Sequence, residues 1–194
     1  MPTSRDCEHC RGPMPLTARS HARYCAPRCR AAAARRRQTV PAELTRRPRW
    51  VRHSDRKVPL TVGGSVASST DPSTWSRHRD AARSTVGAGF GFVLDGDGVV
   101  CLDLDHCVDI DGEVAAWAQT ILDAAVGTWV EVSRSGTGLH VWGLGSLEAG
   151  RRITYRGGSV ELYADGRYIA VTGATFGDTP RRLGDLQHVI DALL

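Results

Sequence analysis

Val99-Val100-Cys101-Leu102-Asp103-Leu104-Asp105 is the stretch from which the rest of the chain can be read. It has the alternation of a short strand: Val100, Leu102 and Leu104 fall on one face, Asp103 and Asp105 on the other. Two residues along a strand span about 6–7 Å, so both carboxylates can converge on one cation or on a close pair. Carboxylate and water oxygens are what Mg²⁺ and Mn²⁺ prefer, and a pair of such ions can clamp the attacking and leaving oxygens of a phosphoryl transfer. An edge strand that merely shows its acids to water has the same pattern, so the neighbours decide.

Upstream, Gly87 to Leu94 reads as a strand and Asp95-Gly96-Asp97-Gly98 as a turn, which makes the acidic strand one half of an expected hairpin. Further upstream, Lys57-Val58-Pro59 leads into a Gly/Ser-rich loop. Ser68-Ser69-Thr70-Asp71-Pro72 then predicts a helix capped by Asp71, with Pro72 in its first position, carrying Trp75 to about Arg83.

Downstream, Val114, Trp117, Ala118, Ile121, Leu122 and Ala125 keep a helical period and predict a helix with one face on the sheet. Thr128 to Ser133 is a strand with Glu131 and Ser133 on one face and Val130 and Val132 on the other. It runs into Ser133-Arg134-Ser135-Gly136-Thr137-Gly138-Leu139-His140, where the glycines let backbone N–H groups approach an anion closely. A nucleoside triphosphate is the expected guest of this loop, with His140 on the polar face of the next strand. Val160-Glu161-Leu162 repeats the alternation and offers Glu161 as a third carboxylate. Tyr168 to Thr172 is a returning strand, and a last helix from about Asp185 carries Leu186, Val189, Ile190 and Leu193.

The chain has 194 residues, enough for one ordinary domain and a small appendage. Its net charge of +4 conceals an asymmetry: residues 1–57 carry 15 basic against 4 acidic side chains, and the remainder is net acidic. A basic arm suits a polyanion and an acidic body suits divalent metal. No apolar run approaches the roughly 18 residues of a spanning helix, and the N-terminus lacks a signal-peptide core. No membrane partner and a cytoplasmic location are therefore expected.

Cys7-x-x-Cys10 and Cys25-x-x-x-Cys29 have the spacing of a structural zinc site. Four thiolates close a tetrahedron, so this Zn²⁺ is expected to hold the fold and do no chemistry. His9 and His21 stand nearby as alternative ligands. Arg30-Ala-Ala-Ala-Ala-Arg35-Arg36-Arg37 combines helix propensity with positive charge, and together with Arg23 to Arg30 it resembles the small treble-clef zinc modules of DNA-associated proteins. The expected division is a basic zinc module over 1–37, a linker over 38–48 and a body over 49–194. Cys101 and Cys107 are expected to be buried thiols.

Taken in order, the motifs of residues 50–173 resemble the primase–polymerase catalytic domain of the archaeo-eukaryotic primase superfamily, in its phage and plasmid form. They are Lys57 with Pro59, Ala67 to Trp75, Gly89 to Phe92, Asp103 with Asp105, Ser135 to His140, and Glu161. The resemblance implies an α+β fold with an RRM-like core beside a smaller α/β unit. It also implies template-directed nucleotidyl transfer by a two-metal mechanism, with Asp103, Asp105 and Glu161 holding Mg²⁺ or Mn²⁺ and His140 with the Ser133-Arg134-Ser135-Gly136 loop holding the triphosphate. Lys57, Arg134 and Arg167 are further candidates for phosphate or primer contact. Single-stranded DNA template, primer and nucleoside triphosphates are the implied partners, with a helicase or helical accessory protein beside them. Two rival readings are a catalytically inactive DNA- or nucleotide-binding module and a nucleotide-sugar transferase; the latter gives no reason for the basic arm.

Overall fold

The computed structural model describes residues 6–7, 10, 12–15, 17–18, 22–29 and 40–194. The chain divides into two compact units, Met1–Thr39 and Val40–Leu194. In the first, the Cys7 N–H donates to the Gly12 carbonyl at 2.8 Å, and the Cys29 N–H donates to the Ala26 carbonyl at 3.0 Å in the helical turn that follows Cys25. The helix expected over Arg30–Arg37, and His9 and His21, lie outside the described residues.

The second unit is mixed helix and largely antiparallel sheet. In chain order it contains α1 (Ala42–Thr45), β1 (Trp50–His53), β2 (Pro59–Leu60), a 3₁₀ turn (Pro72–Thr74), α2 (His78–Arg83), β3 (Gly89–Asp95) and β4 (Val99–Asp105). There follow α3 (Ala116–Ala124), β5 (Trp129–Val132), β6 (Leu139–Leu144), β7 (Arg151–Tyr155), β8 (Gly158–Tyr163), β9 (Asp165–Val171), β10 (Gly184–Asp185) and α4 (Gln187–Leu193). One sheet has the order β2-β1-β3-β9; the other has the order β10-β6-β4-β8-β7, with β5 also paired to β6.

Strand alternation distributes the core. Val100, Leu102 and Leu104 of β4 pack with Leu139, Val141, Val160 and Leu162 against Ala118 and Ile121 of α3 and Val189 and Ile190 of α4. The opposite face of β4 sends Val99 and Cys101 into a second cluster with Trp50, Phe92, Trp129, Trp142 and Ile169, between the two sheets. Each large apolar side chain fully buried in this way contributes about 1.5–3 kcal/mol. Asp103 and Asp105 continue the Cys101 face, and the cleft opens where that apolar filling stops.

Three expectations need correction. The linker read over 38–48 does not hold from Val40 onward: Ala42–Thr45 is helical, Leu44 is fully buried, and its carbonyl accepts from the Trp50 indole N–H at 3.2 Å. The helix expected from Asp71 to Arg83 is two pieces. Asp71 does cap, accepting from the Ser73 N–H at 3.0 Å. Ser76, however, exchanges backbone hydrogen bonds with Trp50 at 2.8 and 3.0 Å, which forces an extended segment between the 3₁₀ turn and α2. The hairpin across Asp95–Gly98 is absent as well. Both edges of β3 are taken by β1 and β9, and both edges of β4 by β6 and β8. The turn carries the chain from one sheet to the other, and Asp97 fixes it by pairing with Arg47 at 2.8 Å and Arg49 at 2.7 Å. Cys101 and Cys107 are buried, as expected.

Candidate active site and metal centre

Register across five neighbouring strands sets Glu131 of β5 opposite His140 of β6, His140 opposite Asp103 of β4, Asp103 opposite Glu161 of β8, and Glu161 opposite Arg152 of β7. Directly opposed residues share a face of the sheet, so these five form one row, with Asp103 at its centre. His140 Nδ1 lies 3.1 Å from Glu131 Oε1, and His140 Nε2 lies 3.7 Å from Asp103 Oδ1. Glu161 accepts from the Tyr163 hydroxyl at 2.6 Å and stands 3.8 Å from Arg152 Nε. Asp105 lies two residues beyond Asp103, opposite Ser159.

His140, Asp103 and Glu161 of this row, with Asp105, form the floor of a cleft of about 390 Å³, while Glu131 is fully buried. Lys57, Arg134 and Arg167 stand in its walls with Ser133, Ser135 and Tyr168. Acids on the floor and bases on the walls suit a polyphosphate carrying a divalent cation.

The walls are tied by specific contacts. Lys57 has φ +60°, a strained region for a side chain of its size, and its carbonyl accepts from the Tyr168 hydroxyl of β9. Arg134 Nη1 donates to the Asp55 carbonyl at 2.9 Å, so this arginine also fastens the β1–β2 turn to the β5–β6 loop. The Arg167 guanidinium lies 4.7 Å over the Tyr163 ring. Ser69, in the long loop before the 3₁₀ turn, donates to the Gly166 carbonyl at 2.8 Å and closes one end.

In the β5–β6 loop the Ser133 N–H donates to the Gly138 carbonyl at 2.8 Å, and the hydroxyls of Ser133, Ser135 and Thr137 form a chain at 3.1 and 3.0 Å. Gly136 stands apart from the cleft wall; with φ +80° it turns the loop. Gly138 serves close approach, since a Cβ there would meet the Leu104 carbonyl at 2.8 Å.

The electrostatics follow from this crowding. Burial pushes the Asp103 pKa up, the Asp105 and Glu161 charges push it the same way, and His140 and Lys57 oppose them without prevailing. Burial alone would lower the His140 pKa, but the Glu131 hydrogen bond and the Glu131 and Asp103 charges raise it above its ordinary value. Burial, then the bond to Glu161, holds the Tyr163 hydroxyl up at about 12.

Sequence reasoning missed Glu131. It is fully buried, and besides His140 it accepts from the Trp142 indole at 3.1 Å, the Thr172 N–H at 2.9 Å, the Thr172 hydroxyl at 3.0 Å and the Gly173 N–H at 2.8 Å. The available signal was an acid flanked by valines, two residues before the loop and on the same strand face as Ser133.

In the N-terminal unit the sulfurs of Cys7, Cys10, Cys25 and Cys29 all lie within 4.8 Å of one another. Cys25 Sγ is 3.6 Å from Cys10 Sγ and 3.5 Å from Cys29 Sγ. Zinc–sulfur bonds of about 2.3 Å in a tetrahedron require sulfur separations close to these. The bond with Cys29, then those with Cys10 and Cys7, holds the Cys25 thiol up at about 12, so a cation is what would let four sulfurs ionise together. Among the described residues, no helix is long and apolar enough to cross a membrane.

The family model described as "Bifunctional DNA primase/polymerase, N-terminal" matches residues 19–186 of this chain. The chain is also similar to the DNA primase-polymerase of Nitratiruptor phage NrS-1, with 38% identity over 136 residues. That alignment takes in 66% of this chain and 19% of the phage protein, so the chain spans about a fifth of its relative's length.

Proposed function

We propose that this chain, which belongs to the bifunctional DNA primase/polymerase family, performs template-directed nucleotidyl transfer in DNA replication, with the cleft between its two sheets as the catalytic site. The observation that carries the reading is the row His140–Asp103–Glu161, with Asp105 beside it, on the floor of a cleft walled by Lys57, Arg134 and Arg167. Asp103 and Asp105 are the metal ligands in this reading, and Glu161 joins them by leaving Tyr163 or Arg152. A divalent ion bound there, Mg²⁺ or Mn²⁺, supplies charge neutralisation to the triphosphate and lowers the pKa of an attacking 3′-hydroxyl. His140, held by Glu131, points Nε2 toward Asp103 and the cleft, where it donates to a phosphate oxygen. Ser133 and Ser135 exchange their mutual hydroxyl bonds for bonds to phosphate, and Lys57, Arg134 and Arg167 hold the charge that the pyrophosphate carries away.

Within this reading the sheet containing β4, β6 and β8, with α3 and α4 on its outer face, corresponds to the RRM-like core, and the sheet of β1, β3 and β9 to the smaller unit. The cysteine cluster holds Zn²⁺ and belongs to a basic module, residues 1–37, that grips DNA phosphates; the catalytic body occupies 49–194, with the chain from Val40 packed onto it. Single-stranded template, primer and nucleoside triphosphates are the substrates, and a helicase or helical accessory protein is the proposed partner. A virus-encoded enzyme of this kind works in the host cytoplasm. The test is incorporation of labelled nucleotide on single-stranded DNA with Mg²⁺ or Mn²⁺, with Asp103→Ala as control. Metal-dependent extension that disappears in the variant is expected; binding of nucleotide without extension would favour the accessory-module reading.

A further inference from the structure

We propose that a groove on the body, sharing no residue with the catalytic cleft, is a second nucleic-acid site that holds single-stranded DNA. Two adjoining concavities of about 540 Å³ each share Arg47, Pro48 and Arg77. One is lined by Pro48, Pro72 and the half-buried Trp75, together with Arg49 and its carboxylate partners Asp95 and Asp97. The other adds Arg46 and Arg79.

The charges in this groove are not equally available. Arg47 and Arg49 share Asp97. Arg46 and Arg77 are exposed and form no ion pair among the described residues, and Arg79 meets Asp80 at 3.4 Å with both side chains largely in water, a weak pairing. Three guanidinium groups are thus open to phosphate, which they bind in bidentate fashion. The wall of Pro48, Pro72 and Trp75 points to the second component of the ligand. Arg49 is held by the protein itself: its side chain is 7% exposed, Asp97 at 2.7 Å and Asp95 at 3.7 Å take its charge, and its guanidinium lies 4.9 Å over the Phe92 ring.

A single strand meets both requirements. An unpaired base packs on Trp75 and the prolines, while its phosphates run along Arg46, Arg77 and Arg79. A duplex keeps its bases stacked and offers only phosphates, and an acidic peptide would leave the flat pocket unfilled.

The experiment measures binding of the full-length chain to an oligothymidylate and to a duplex across a salt series, comparing wild type with Arg46→Glu/Arg77→Glu/Arg79→Glu. Every single-strand phosphate deprived of its arginine lowers the slope of log K against log salt by about 0.7, so the triple variant is expected to drop by about 2 in slope and roughly tenfold or more in affinity. The loss should be larger for the single strand than for the duplex, with nucleotide affinity at the catalytic cleft unchanged. The corresponding Arg→Gln triple variant gives the same ordering should the glutamates impair folding. Unchanged single-strand affinity and slope, or an equal loss for both forms of DNA, would overturn the proposal.

Discussion

Glu131 Oε1 stands 3.1 Å from His140 Nδ1, while Oε2 of the same carboxylate accepts from the backbone N–H groups of Thr172 and Gly173 at 2.9 and 2.8 Å. One buried side chain therefore fixes the orientation of the candidate phosphate-binding imidazole and joins β5 to the segment that follows β9. Glu131→Gln places an amide against donors that need an acceptor on at least one side. A buried polar group left unsatisfied costs about 1–3 kcal/mol, so the variant should melt several degrees lower. At temperatures where it stays folded, its KM for nucleotide should rise more than its kcat falls, as for His140→Ala. Adding Glu131→Gln to His140→Ala should leave KM unchanged; a further rise would mean that Glu131 acts on nucleotide by another route.

Asp103 should weaken the fold that it serves. Its pKa is raised by burial and by neighbouring acids, so the folded chain binds that proton more tightly than the unfolded chain, whose aspartates titrate near 3.9. Stability then falls as pH rises from that value through the folded-state pKa. Asp103→Asn in chelator is accordingly expected to melt a few degrees above wild type at neutral pH, with the advantage shrinking on acidification. Manganese should stabilise wild type and not the variant. Thermal melts in chelator and in Mn²⁺ check both halves.

Protein purified without chelator should carry one zinc per chain. Cys10→Ser or Cys25→Ser should lose it, and a strong chelator should abolish the ordered N-terminal unit while leaving the melt of residues 40–194 in place. Metal analysis that found no zinc would contradict this reading of the cysteine cluster.

Gly136 and Gly138 should respond differently to alanine. At Gly136 a Cβ would meet nothing within 4 Å and the change carries only the left-handed backbone penalty, about 1–2 kcal/mol. At Gly138 a Cβ would press on the Leu104 carbonyl at 2.8 Å and the Ser133 hydroxyl at 3.0 Å. Gly138→Ala should therefore displace the loop from β4 and raise KM for nucleotide more than Gly136→Ala does, which steady-state kinetics on the two variants would show.

Strand alternation made much of the candidate site legible. Asp103, Asp105, His140 and Glu161 each alternate with apolar neighbours, and pairing of their strands brings them to one face. What stayed hidden depended on which strands pair. Asp95-Gly96-Asp97-Gly98 carries the turn chemistry of a hairpin, and the same chemistry serves a crossing between sheets; only the occupied edges of β3 and β4 distinguish the two. For Glu131 the strand pattern yields only a face shared with Ser133, because nothing local foretells that Thr172 and Gly173, some forty residues later, bring their N–H groups to it. Asp71 and Pro72 signalled a helical start correctly, yet the pairing of Ser76 with Trp50 interrupts what local propensity would have continued.

The proposed reaction requires a metal-bound nucleotide on the Asp103 row, in the cleft between the two sheets. Crystals of the full chain soaked with Mn²⁺ and a nucleoside triphosphate locate the ion by its anomalous scattering. Manganese is expected at Asp103 and Asp105, with the triphosphate reaching toward His140 and the Ser133–Ser135 loop. Manganese or nucleotide bound elsewhere, with Asp103 and Asp105 left bare, would contradict it.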